Sequence, residues 1–193
     1  MKFQKIMASL MCAVVIAIPS YAAIGTAVIK GTVKDSAVLG SVSFMEMNDG
    51  LQVEVSVANV PAGKHGFHIH EKGDCGDEGK AAGGHFNPEK ADHGFMPKDG
   101  HMHSHTGDMG NIEVGADGNG KLSIFLPGVH LLAKDPSVAG LAVIVHEKED
   151  DFGQPTGNAG GRIGCGVIMI EDEGYANADA SDDQPQPKVG ESS

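Results

Sequence analysis

Leu51-Gln52-Val53-Glu54-Val55-Ser56-Val57 alternates apolar and polar residues without a break. Successive side chains of an extended chain point to opposite faces, so Val53, Val55 and Val57 share a buried face while Gln52, Glu54 and Ser56 face water. Asn48-Asp49-Gly50, a hairpin turn signal, separates this stretch from the run Val38 to Met47. Further short alternating or β-branched runs lie outward from it: Thr26 to Val33, His65 to His70, Leu122 to Leu126, Leu141 to His146 and Gly166 to Ile170. A second turn signal is Asp117-Gly118-Asn119-Gly120, and amphipathic helical periodicity is hard to find. Many short strands with 28 glycines between them predict an all-β sandwich or barrel. Two stretches lack strand character, Lys72 to about Gly110 and Glu147 to Gly161. Loops of that length are usually functional or disordered. These are rich in metal-ligand types and bracketed by Cys75 and Cys165, which makes them functional candidates.

The 193 residues allow one domain plus appendages. Met1-Lys2-Phe3-Gln4-Lys5 precedes an apolar run from Ile6 to Ile18, broken only by Ser9, and Ser20-Tyr21-Ala22 follows with small residues at its first and third positions. This is the pattern of a secretory signal over residues 1–22, cleaved after Ala22. The run is shorter than the roughly 18–20 apolar residues of a transmembrane span, so no stable membrane anchor is expected. Export follows, to the periplasm or, as the second destination, to the exterior. Residues 23–171 form the expected domain. The remainder, 172–193, is acidic, with Pro, Gln, Ser and Gly but little to bury, and reads as a disordered tail. Losing Lys2 and Lys5 with the leader takes the net charge from −12 to −14. An acidic domain with no basic patch and no Trp argues against nucleic acid as a partner. Of three cysteines, Cys12 leaves with the signal; Cys75 and Cys165 remain as an even pair, read as a disulfide in an oxidising compartment, the alternative being two buried free thiols.

In Gly66-Phe67-His68-Ile69-His70-Glu71 the alternation puts His68 and His70 on one face and Phe67 and Ile69 on the other. Two imidazoles from one strand are half of a copper or zinc site, though a lone pair of this kind reads equally well as solvated. Here His85, His93, His105 and Asp108 follow, each next to glycine or proline turn signals, the run ends at His146, and no packed core needs that arrangement.

The motifs Gly66-Phe67-His68-Ile69-His70-Glu71, Gly84-His85-Phe86-Asn87-Pro88, His93-Gly94, His105-Thr106-Gly107-Asp108, Val145-His146-Glu147 and Gly157-Asn158-Ala159-Gly160-Gly161-Arg162-Ile163-Gly164-Cys165-Gly166 occur in this order. Together they closely resemble the copper,zinc superoxide dismutase family over roughly residues 24 to 170. The resemblance implies a Greek-key barrel of about eight antiparallel strands with two long functional loops. It implies copper ligands at His68, His70, His85 and His146, and zinc ligands at His85, His93, His105 and Asp108, with His85 bridging the two metals. It also implies that Arg162 attracts and orients an anionic substrate, that Cys75 and Cys165 form the family's disulfide, and that Asp150 links one copper ligand to one zinc ligand. A guanidinium tying loop carbonyls together is a second, compatible role for Arg162. His65 matches a structural histidine of the family, and His130 reads as a surface residue.

Departures from the family pattern are visible. Gly100-His101-Met102-His103-Ser104-His105 offers three histidines where one is needed, and the spacing His-x-Gly-Asp selects His105. His101 and His103 read as solvated or as transient copper collectors beside Met96, Met102 and Met109. The segment Glu147 to Gly157 is shorter than in animal cytosolic members. The longer Cys75–His85 spacing and the leader resemble exported bacterial members. The implied reaction is dismutation of superoxide with copper and zinc as cofactors; the alternative is an exported metal buffer without turnover. The pattern is compatible with a monomer or a homodimer and names no copper donor.

Overall fold

A computed structural model describes residues 23–171 apart from position 133. The expected leader and acidic tail lie outside the described residues. Nine strands carry the fold: β1 (Ile24–Gly31), β2 (Leu39–Met47), β3 (Gly50–Ala58), β4 (Gly63–His70), β5 (Asp108–Val114), β6 (Gly120–Pro127), β7 (Ala142–His146), β8 (Arg162–Val167) and β9 (Met169–Glu171). A 3-10 turn at Lys80–Ala82 and one short helix, α1 (Met96–Asp99), interrupt the long β4–β5 connection.

The hydrogen-bonded order is β2-β3-β6-β5-β4-β7-β8-β1-β9, and β1 also pairs with β2. That last pairing closes eight strands into an antiparallel barrel. The extra strand, β9, lies beside the start of β1 with Thr26 opposite Met169. The connections from β3 to β4 and from β6 to β7 reach non-adjacent strands, which gives the Greek-key path.

Alternation decides what fills the barrel. Val53, Val55 and Val57 of β3, Val42 and Phe44 of β2, and Phe67 and Ile69 of β4 all point into one core, each 4% exposed or less. Fully burying such side chains stabilises a fold by about 1.5–3 kcal/mol each. The result is a stiff frame whose strand ends and long loops carry the polar residues.

Two expectations need correction. Strand character resumes at Asp108 within the stretch read as loop, because β5 is held by pairing with β4 (His65↔Ile112, His68↔Asp108) rather than by its own weak alternation. His130 is buried at 8% exposure, not a surface residue. Its Nδ1 meets Glu46 Oε1 at 2.5 Å, and the backbone N–H of Leu131 donates to Glu46 Oε2. Glu46, at the end of β2, thereby clamps the segment that brings Val129 and Leu131 into the core.

Candidate metal centre

Three backbone hydrogen bonds weave the first long loop onto the barrel wall. Ile69 N–H donates to Gly107 O, Phe86 N–H to Ile69 O, and Gly107 N–H to Phe86 O. Each of these residues sits beside a candidate ligand: Ile69 between His68 and His70, Phe86 after His85, Gly107 before Asp108. A Cβ at Gly107 would lie 2.1 Å from Ile69 O, so only glycine permits this approach.

The weave and the strands gather two groups. His68, His70, His85 and His146 each offer one ligand atom within 4.8 Å of the others, and so do His85, His93, His105 and Asp108. All seven side chains are buried, and His85 belongs to both groups.

Hydrogen bonds on the outward nitrogens fix which lone pairs face inward. His70 Nδ1–H donates to Gly83 O at 3.0 Å, which leaves Nε2 bare; His146 Nδ1–H faces Gly160 O at 3.4 Å, with the same consequence. The two bare nitrogens lie 3.3 Å apart. His68 is reversed: Nε2–H donates to Asp150 Oδ2 at 2.8 Å, and its Nδ1 is buried without any hydrogen-bond partner. His85 turns Nδ1 to the second group, 2.8 Å from Asp108 Oδ1 and 3.3 Å from His105 Nδ1. Its Nε2 is left for the first.

In the second group His105 Nδ1 is 3.2 Å from Asp108 Oδ1, and His93 Nδ1 is 2.8 Å from Asp108 Oδ2. The His93 contact has the distance of a hydrogen bond without its angles, so that nitrogen too is a buried orphan. A tetrahedral ion with bonds near 2.0 Å needs ligand atoms about 3.3 Å apart. Buried nitrogens without partners, at such spacings, fit cations better than they fit a hydrogen-bonded core.

Charge follows the same logic. Burial pushes His70 down to about 2, His146 to about 3 and His85 to about 4, with neighbouring imidazoles adding to the shift, so all three are neutral and ready to ligate. Burial alone would raise Asp108, but hydrogen bonds from His105, His85 and the Gly94 N–H, with the His93 imidazole close by, hold it well below the usual carboxylate range. His93 goes the other way: burial would lower it, yet the Asp108 and Asp150 carboxylates push it up to about 9.

Asp150, 1% exposed, joins the groups, taking His68 Nε2–H on Oδ2 and His93 Nε2–H on Oδ1. The Asn111 amide donates to Asp150 O and accepts from Asp150 N–H, an anchor the sequence did not announce. Gly157 lies against this link with φ +75°, and a Cβ there would meet Asp150 Oδ1 at 1.9 Å and His93 Nε2 at 2.7 Å. Gly157→Ala is therefore expected to displace Asp150 and weaken a metal in the second group by about 10–100-fold. Zinc titration of the metal-free variant by calorimetry checks it; unchanged affinity would disprove the role of Asp150.

The Arg162 guanidinium ties down the loop, Nη1 donating to Gly79 O and Nη2 to Gly83 O. Gly83 O also receives His70 Nδ1–H, and Arg162 faces His146 across β7–β8, so the cation borders the four-histidine group. Cys75 and Cys165 are bonded, with Cα atoms 5.7 Å apart, and fasten the same loop to β8. His65 joins neither group; its nitrogens face His146 O and Pro61 O. His101 and His103 also stand outside both groups, His103 exposed.

Residues 38–168 match the family described as copper/zinc superoxide dismutase. The chain is 42% identical over 142 residues to an extracellular Cu-Zn superoxide dismutase of Caenorhabditis elegans, covering 70% of this chain but 62% of that protein's length. It is 40% identical over 146 residues to the extracellular Cu-Zn enzyme of Drosophila melanogaster, covering 71% and 78%. Superoxide dismutase (Cu-Zn) 5 of Dictyostelium discoideum is 38% identical over 147 residues, covering 72% and 94%. Among solved structures, the clock protein EA4 superposes with a TM-score of 0.69 at 33% identity, covering 81% of this chain and all of that one.

Proposed function

Because the chain belongs to the copper/zinc superoxide dismutase family, we propose that it converts two superoxide ions and two protons into dioxygen and hydrogen peroxide. The observation that carries this reading is His85, one imidazole shared by two four-donor groups of different chemistry. The four imidazoles His68, His70, His85 and His146 suit copper, and His85, His93, His105 with the Asp108 carboxylate suit a closed tetrahedral zinc. When bound, copper would supply reversible one-electron exchange with superoxide, and zinc would supply a fixed positive charge.

The chain's own residues do the rest. His85 Nε2 is the atom placed to hold and hand on a proton, while Asp108 and His105 keep the ring from turning. Asp150 holds His68 and His93 in fixed tautomers, which preserves ligand geometry through turnover. Arg162 spends one N–H on each of two carbonyls and keeps the remaining donors for an anion. A storage protein needs neither that guanidinium nor a shared imidazole.

The acidic balance of the chain repels superoxide at long range, but exposed charges are screened beyond about 10 Å at moderate salt. Arg162 acts inside that distance. Arg162→Ala should lower the second-order rate measured by pulse radiolysis by about tenfold or more and flatten its salt dependence. An unchanged rate removes Arg162 from the mechanism; no turnover by fully loaded wild type favours the buffer instead.

Zinc uptake has its own signature. With His93 at about 9, the metal-free protein carries a proton there at neutral pH. Binding at Nδ1 expels it, so His93 should contribute about one proton per zinc near pH 7, and less as pH rises through that value. Indicator-dye titration in weak buffer measures this; release that does not decline between about pH 8 and 10 contradicts the assignment.

Export is proposed on the leader, on the bonded cysteine pair and on the extracellular relatives. The Cys75–His85 spacing and the leader support an exported bacterial type with a periplasmic destination.

A further inference from the structure

Three residues of one five-residue segment close on His93 from different sides. Asp150 accepts its Nε2–H, and the Phe152 ring lies across it, tilted by 21° with centroids 6.4 Å apart. Gln154 takes the backbone: its Oε1 accepts His93 N–H at 3.0 Å, and its Nε2–H donates to His93 O at 2.8 Å. This two-point contact copies one rung of an antiparallel ladder with a side chain, and it holds the backbone on both sides of the Cα that carries the imidazole. Both amide atoms of Gln154 are engaged by the His93 backbone, and the Phe152 ring carries no ligand atom.

The segment is itself preassembled. Asn111 grips Asp150 through both of its backbone groups, Phe152 N–H donates to Asp150 Oδ1, and Asp151 N–H donates to Gly157 O. His93 sits in an irregular stretch between the 3-10 turn and α1, and no strand pairing fixes its position. Its Nδ1 must nonetheless converge with His85, His105 and Asp108. We infer that Gln154 is a positioning residue for the second metal group: its carboxamide clamp on the His93 backbone sets how long zinc is retained. This inference rests on His93 being a zinc ligand.

The test uses the full chain, stripped of metal and reloaded with zinc alone to follow zinc release, and with both metals to follow copper retention. Gln154→Met keeps the length of the side chain and removes both donor and acceptor. Zinc release to a chelator should become about tenfold faster, the lower end of the effect of outer partners, because Gln154 is exposed to competing water. Cobalt(II) placed in the same group should show shifted visible bands, since the ligand field senses where His93 stands. Copper retention and the melting of the metal-free protein should not change. Gln154→Glu, which keeps the acceptor for His93 N–H and loses the donor, should fall between.

Zinc release within about twofold of wild type with an unaltered cobalt spectrum overturns the inference. Equal loss of copper and zinc overturns it too, because the effect would then not be local to His93. If the Met variant fails to fold, the Glu variant decides by the same readouts. His93→Ala separates the premise: full zinc binding without that imidazole would refute the ligand assignment itself. Loss of zinc there, with no effect at Gln154, would refute only the clamp.

Discussion

His85→Ala should yield a protein that binds neither copper nor zinc at native stoichiometry and shows superoxide turnover no faster than the solvent background. The expectation follows from the ring's two environments. Nδ1 lies 2.8 Å from Asp108 Oδ1 and 3.3 Å from His105 Nδ1, while the opposite edge faces His68 and His70, with ring centroids 4.1 and 5.0 Å away. Removing the ring strips one donor from each group and leaves the Asp108 charge buried with fewer partners. Because a ligand that binds only the folded state stabilises it by mass action, the gap in melting temperature between loaded and metal-free protein should largely close. His103→Ala is the control: exposed and outside both groups, it should retain both metals and full rate. Metal analysis by mass spectrometry with calorimetry decides. A His85→Ala protein that keeps wild-type turnover, or loses only one metal while the other binds unchanged, would break the shared-imidazole reading.

The legible part of the fold is the part where side chains alone carry the signal. Val53-Glu54-Val55 and Phe67-His68-Ile69 alternate because one side of each strand is core and the other is not, and both faces turn out as read. β5 was not legible. Asp108, Gly110 and Asn111 are poor strand formers, and the strand exists because β4 offers a pairing edge and Asp108 is needed opposite His68. His130 shows the same limit in a single residue. Nothing in Gly128-Val129-His130 reveals that Glu46, 84 positions earlier, waits to receive it.

The candidate site divides likewise. Ligand types and their spacing are chemistry that any sequence displays, so His68, His70, His85, His93, His105, Asp108 and His146 all stand where the two groups form. His105, which the His-x-Gly-Asp spacing selects, lies in the second group, and His101 and His103 lie outside both. What holds these residues is less visible, because a carboxamide can satisfy any backbone pair. Asn111 on Asp150 and Gln154 on His93 carry no motif, and only the path of the two loops brings each amide to its backbone.

Replacing Cys75 and Cys165 together by alanine should destabilise the metal-free protein by about 4–5 kcal/mol. The bond closes a loop with a sequence separation of 90 residues, and the chain-entropy relation gives that magnitude for loops of this size. For a domain of this length each kcal/mol moves the melting midpoint by about 2–4 °C, so a drop of roughly 8–20 °C is expected. Entropy is only part of the effect. The same loop presents Gly79 O and Gly83 O to Arg162, and Gly83 O also orients His70. Freed from β8, those carbonyls lose their fixed positions, and copper should dissociate faster from the variant. Arg162 does not substitute for the covalent bond, because its two hydrogen bonds to the loop are present in the wild type already and add nothing new when the disulfide is removed. The measurement is urea unfolding of metal-free wild type and variant, so that metal linkage does not enter. Reduction of the wild type should reproduce the shift. A difference below about 1 kcal/mol would show that the loop is held by its weave to Ile69 and not by the covalent bond.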